Sequence, residues 1–236
     1  MADYPDITLR YFPVRGRGQA IRGLLSAREV PFTDKHIILN EDFSSWRKRD
    51  RNDRSISGPF QKVPTLEWGG LMVSEVLVIM DFLHGKLGDA ASLDEEQNLR
   101  HAMLTSSAFL DLLTPSINIV WCDFFNPGAD VPKTAAMVKA KLAMHLATVD
   151  QTLTEWHWLN DLEQRPVMAA DAMLWEALDY VLATFEGAVS LDQHETLKAF
   201  HEHCPGKAAF EAHLEKHPVT MTARPGEAEA LAVIRG

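Results

Sequence analysis

Tyr11-Phe12-Pro13-Val14-Arg15-Gly16-Arg17-Gly18 joins a short apolar strand at residues 7–11 to a helix whose apolar positions recur through residues 19–27. Pro13 has a fixed φ and no backbone donor, so it ends the strand, and Gly16 marks the turn. A second strand at residues 32–39 completes a strand-helix-strand opening. Further on, Val63-Pro64-Thr65-Leu66-Glu67-Trp68 and Leu71-Met72-Val73 flank Gly69-Gly70, a two-residue turn of the kind that closes an antiparallel hairpin. A helix over residues 75–86 follows. Between these elements, the polar stretch 40–58 holds Trp46 alone in a run of charges and reads as a functional loop with a short exposed helix.

Beyond Gly85 and Gly88, which mark a linker, the pattern is helical. Residues 94–125 carry helical spacing interrupted by Pro115, which should kink a long helix because it removes a donor and crowds the preceding turn. Further helices are expected at 133–160, 169–184, 191–201 and 208–215. No internal repeat or low-complexity tract interrupts them.

Composition narrows the function classes. The 236 residues suffice for two modest domains, and 46% hydrophobic with 24% charged residues is ordinary for a globular protein. No apolar run in the sequence reads as a membrane span. A formal charge of -10 opposes a phosphate backbone and argues against nucleic acid as the main partner. The opening Met1-Ala2-Asp3-Tyr4-Pro5-Asp6 is acidic where a secretory signal is basic, so a cytoplasmic address is expected. Two distant cysteines, Cys122 and Cys204, read as reduced thiols.

The turn at residues 11–18 precedes a helix, whose first amides and dipole favour an anion. A dinucleotide-binding loop is one reading, but Ile21 stands where a third glycine belongs, and the hairpin conflicts with a continuing parallel sheet. Taken alone, Tyr11 is a packing residue, Arg17 a solvated turn residue, and Trp46 a lid anchor. His194, His201, His203, Cys204, His213 and His217 lack the spacing of a metal site, so no metal is expected.

Tyr-Phe-Pro-Val-Arg-Gly-Arg at 11–17, then Ala-Ile-Arg-Gly-Leu-Leu at 20–25, then Val-Pro-Thr-Leu at 63–66 with its hairpin, closely resembles the pi, mu and sigma classes of glutathione transferase. The resemblance is strongest over residues 5–84 and continues more loosely to about residue 216. It implies an α/β thioredoxin-like N-terminal domain at 1–84 that binds glutathione. An all-α C-terminal domain at 92–236 would form a wall of the electrophile pocket, completing the glutathione transferase fold in a homodimer. The implied activity is conjugation of the glutathione thiolate to a soft hydrophobic electrophile, as in detoxification. Glutathione is then co-substrate, with no other cofactor.

The resemblance also carries roles onto residues. Tyr11 is the catalytic donor to the glutathione sulfur. Arg17 matches an arginine at the glutamyl end, Trp46 a tryptophan at the glycyl end, and Arg49 or Lys48 supplies a cation for the glycyl carboxylate. Val63-Pro64 matches a cis-proline that presents backbone to the cysteinyl unit, with Lys62 where an amide side chain is usual. Glu75 meets the glutamyl ammonium, and Asp111 reaches the ammonium bound to the neighbouring subunit. Phe12, Val14 and Trp121 line the electrophile pocket, although Trp121 also reads as a core residue.

Two departures stand out. Val76 replaces the hydroxyl that normally binds the glutamyl carboxylate, a loss of about 1.5–3 kcal/mol for a bond to a charged group. Met168 replaces a serine or threonine helix cap, and a methionine is expected not to accept the first amides, leaving part of the task to Asp171. The Val76 change keeps open a non-catalytic ligand carrier or scaffold of the same fold.

Overall fold

The computed structural model describes residues 4–40, 42–216, 220–222 and 224–235. A four-stranded sheet is built from β1 (Ile7–Tyr11), β2 (Thr33–His36), β3 (Thr65–Trp68) and β4 (Leu71–Ser74), in the order β2-β1-β3-β4. β1 runs parallel to β2, pairing Thr8 with Thr33 and Tyr11 with His36, and antiparallel to β3, pairing Ile7 with Trp68. β3 and β4 form the expected hairpin. Gly69 and Gly70 both take positive φ, 56° and 85°, which is why that turn needs glycine.

Burial alternates along β1, so Ile7, Leu9 and Tyr11 are buried while Thr8 and Arg10 are half-exposed. This alternation brings Tyr11 into the core side at the strand's end. Helix α1 (Gln19–Ala27) follows and buries Ala20, Ile21, Leu24 and Leu25. The stretch after β2 holds α2 (Ser44–Lys48), a single 3-10 turn (Asp50–Asn52) and α3 (Arg54–Ser57), before β3 and β4 lead into α4 (Val76–Lys86) and α5 (Asp89–Ser92). β2 is shorter than the expected 32–39, and its residues Thr-Asp-Lys-His owe their strand to pairing with β1 rather than to apolar burial.

The expected kinked helix at 94–125 is four segments. α6 (Glu95–Ser107) passes into a π turn (Ala108–Leu113), then α7 (Thr114–Val120) and α8 (Cys122–Phe125). Pro115 lies in the first turn of α7, where its missing N–H opens the ladder that the π turn widens. By length and composition the helical run Glu95–Val120 reaches the threshold for a membrane span, which corrects the sequence reading. Half of its apolar window is buried inside the fold, as in a core helix. α9 (Val131–Glu155), α10 (Ala169–Thr184), α11 (Glu195–His203), α12 (Lys207–Lys216) and α13 (Glu227–Arg235) complete the chain.

Packing divides the chain into two compact units, residues 1–102 with 208–223, and residues 103–207 with 224–236. In the first, the chain returns through α12, whose Phe210 lies so close to α1 that a methyl at Gly23 would sit 2.9 Å from the ring. Ser26 and His213 share a hydrogen bond at 3.0 Å across the same contact. In the second unit α10 is almost wholly buried and packs against the π turn, while α13 packs on α7, α9 and α10.

The start of α10 follows the capping expectation. Met168 makes no side-chain cap hydrogen bond to the first amides. Asp171 takes over part of the task by accepting from the Met168 N–H at 2.9 Å. Its fully buried carboxylate also takes Trp158 Nε1 at 3.1 Å and two Arg165 nitrogens at 2.5 and 2.9 Å.

Candidate functional site

The site grows from the end of β1. Pro13 and Gly16 turn the chain back so that the Arg17 N–H donates to Tyr11 Oη at 3.0 Å. Gly16 and Gly18 are required by this close approach. A methyl at Gly16 would lie 2.7 Å from Tyr11 Oη, at a φ of +38°, and one at Gly18 would lie 2.4 Å from Tyr11 Cδ1. The Arg15 N–H donates to the Thr220 carbonyl at 2.8 Å, so the returning C-terminal segment also holds this loop.

Burial pushes the Tyr11 phenol above its ordinary value, against the Arg17 amide bond and the Arg17 and Arg22 charges, which pull it down. Tyr11 is therefore a phenol at neutral pH, a donor rather than a base. Its oxygen already accepts the Arg17 amide, which strengthens it as a donor to an anion. The Phe12 ring lies beside Tyr11 at 5.3 Å between centroids, and Trp46 meets Phe12 edge-on at 5.3 Å. The lone tryptophan of the charged loop is thus gathered beside the tyrosine. Val14 is buried next to them in sequence.

Other candidates in the first unit fall into smaller groups. Arg49 is exposed, and its guanidinium holds Asp50 through Nε at 2.7 Å and Nη2 at 3.1 Å. The Val63–Pro64 peptide bond is cis. Lys62 Nζ stands 3.6 Å from Glu75 Oε1, and Glu75 takes a φ of 71° just before α4 without capping it through its side chain. Val76 opens α4 and is buried.

In the second unit, Asp111 lies in the π turn and accepts the Ser107 hydroxyl at 3.0 Å. Trp121 stacks on Phe125 at 5.2 Å and meets Phe124 edge-on at 5.3 Å. Behind them Arg224 binds Asp123 and the Val120 carbonyl. This holds the Asp123 carboxyl below the usual carboxylate range. The neighbouring phenylalanines and Arg224 were not singled out from sequence, although the Phe-Phe pair three residues past Trp121 was a readable aromatic cluster. Among the described residues, no three His, Cys, Asp or Glu side chains converge as metal ligands. His217 lies outside the described residues.

No protein-family model matches the chain. Among characterised proteins, glutathione S-transferase alpha-1 of Rattus norvegicus is 29% identical over 192 residues, covering 81% of this chain and 80% of its own length. Hematopoietic prostaglandin D synthase of Gallus gallus is 24% identical over 218 residues, 92% of this chain and 98% of its own. Among solved structures, NaGST-2 superposes with a TM-score of 0.70 at 18% identity, over 92% of this chain and 98% of that one. Rat hPGDS complexed with a quinoline gives 0.69 at 21% identity, over 92% and 100%. The chain therefore has the glutathione transferase fold, a thioredoxin-like sheet domain followed by helices. The relatives it resembles are glutathione S-transferases and a prostaglandin D synthase. Alpha-class proteins stand among them beside a pi-class structure from Onchocerca volvulus, so the pi, mu and sigma classes are not singled out.

Proposed function

We propose that the protein is a tyrosine-type glutathione transferase, in which Tyr11 donates a hydrogen bond to the glutathione sulfur and stabilises it as the thiolate. The observation that carries this reading is the buried Tyr11 hydroxyl, kept protonated and already accepting the Arg17 amide at 3.0 Å beside the start of α1. A thiol with a solution pKa near ~8.5 is mostly protonated at neutral pH. Lowering it by about two units takes roughly 2.7 kcal/mol of preferential thiolate stabilisation, within reach of a charge-assisted bond in a partly dry site. The sulfur lone pair then forms a bond to the electrophilic carbon, and the leaving group departs with its electron pair.

In this reading residues 1–84 bind glutathione. Arg17, whose guanidinium makes no hydrogen bond or ion pair among the described residues, receives the glutamyl end. Trp46 and Arg49 receive the glycyl end, and Lys62, Val63 and Pro64 present the backbone to the cysteinyl unit. Glu75 and the Val76 amide meet the amino-acid end, and Asp111 serves the neighbouring subunit of a homodimer. Exposed Leu99 and Met103, one turn apart on α6, support a self-association face. Phe12 and Val14 contact a hydrophobic electrophile. Glutathione is the co-substrate, no metal takes part, and the protein acts in the cytoplasm.

Two observations favour a second reading, a non-catalytic ligand carrier or scaffold. Val76 offers no hydroxyl at the start of α4, and Lys62 stands against the Glu75 carboxylate. Conjugation of glutathione to a generic aryl halide separates the two. Turnover that falls at least 100-fold in Tyr11→Phe supports the enzyme, whereas absence of turnover at saturating glutathione supports the carrier.

A further inference from the structure

Arg22 belongs to α1, faces the core and is completely buried, a position where an arginine is rare unless every donor is used. Its Nη1 donates to the Val14 carbonyl at 2.7 Å and its Nη2 to the Phe12 carbonyl at 3.0 Å. Nε donates to Asp34 Oδ2 at 2.8 Å, and Nη2 reaches Asp34 Oδ1 at 3.3 Å. The guanidinium carbon stands 5.6 Å over the Tyr11 ring. One side chain thus ties the two carbonyls that bracket Pro13, the next strand, and the face of the candidate catalytic phenol. On the far side, His36 Nε2 shares Asp34 Oδ2 at 3.0 Å.

We propose that Arg22 is a positioning residue for Tyr11: it fixes the turn that delivers the Arg17 amide to the hydroxyl, and it presents a buried cation to the phenol whose strength is trimmed by Asp34. This rests on the reading of Tyr11 as the thiol's hydrogen-bond donor, but its first test does not. A lysine would keep the charge and lose the fork, because only the planar guanidinium reaches two carbonyls and a carboxylate together. Neutralising Arg22 removes a charge that favours tyrosinate, whereas neutralising Asp34 unmasks that charge. The groups bearing on Tyr11 are Arg17 and Arg22 directly, with Asp34 and His36 behind them.

The experiment is a pH titration of tyrosinate absorbance in the ligand-free protein, taken as the difference from Tyr11→Phe in each background. Arg22→Gln should raise the Tyr11 pKa by roughly one unit, and Asp34→Asn should leave it unchanged or lower it. Arg22→Lys should fall between wild type and Arg22→Gln. Purely structural damage would move Arg22→Gln and Asp34→Asn the same way, and that result, or no shift in Arg22→Gln, overturns the proposal. If Arg22→Gln does not fold, Arg22→Lys and Asp34→Asn decide: a rise in the first without a rise in the second supports it, and a rise in both overturns it. The thiolate of glutathione bound to wild type is measured alongside. Its absence refutes the transferase reading while the phenol titration still decides Arg22.

Discussion

Replacing Gly18 by alanine is the sharpest steric probe of the site. Gly18 has φ -96° and ψ -19°, which any residue adopts, so the change carries no backbone strain. The new methyl would lie 2.4 Å from Tyr11 Cδ1 and 2.8 Å from Cγ. Carbon atoms rest at about 3.5–4.0 Å, so the ring must retreat by roughly 1 Å. A displacement of that size at a reacting centre costs about 100-fold in rate, and overpacking of a core side chain costs about 1–3 kcal/mol. The assays are kcat/KM for glutathione conjugation and urea unfolding. Gly85→Ala is the control, since Gly85 lies in α4 with open space around it and should gain about 0.5–1 kcal/mol with unchanged activity. Wild-type kcat/KM in Gly18→Ala would refute the assignment of Tyr11's ring position to catalysis.

Val76→Ser restores a hydroxyl at the start of α4 and should tighten glutathione by about 10-fold to 100-fold in calorimetry, the equivalent of a bond to a charged group. Asp171→Ala leaves Arg165, Trp158 Nε1 and the Met168 N–H without their buried acceptor, and should cost about 3–5 kcal/mol in urea unfolding. Burial, and secondarily the Asp171 charge, push the Cys204 thiol up to about 12, so it should resist alkylation at pH 8 in the native state while the partly exposed Cys122 reacts. Because the unfolded thiol ionises first, near ~9, Cys204 contributes stability that is full below that pH and declines as pH rises toward 12. A Cys204→Ala variant should show a shallower alkaline loss.

Local signals carried much of this reading. Residues 7–11 and 19–27 are strand and helix with the expected bounds, because Gly18 and a clean apolar period mark them, and Gly69-Gly70 could only turn a hairpin. Tyr11 and Trp46 drew their expected roles from the family resemblance rather than from local signals, and the structure gathers both around Phe12. What stayed hidden depends on contacts distant in sequence. The return of 208–223 onto the first unit, the Thr220 carbonyl that takes the Arg15 amide, and α13 have no local marker comparable to a turn glycine. Arg22 reads as one more charge on an amphipathic helix until Asp34 and the Phe12 and Val14 carbonyls are brought to it.

The most direct test of the central claim is a pH titration of thiolate ultraviolet absorbance for glutathione bound to the wild-type protein, beside Tyr11→Phe. The account predicts a thiolate already present at neutral pH in wild type and lost in the variant. A bound thiol that titrates as it does in free solution, or a thiolate indifferent to Tyr11→Phe, would contradict it.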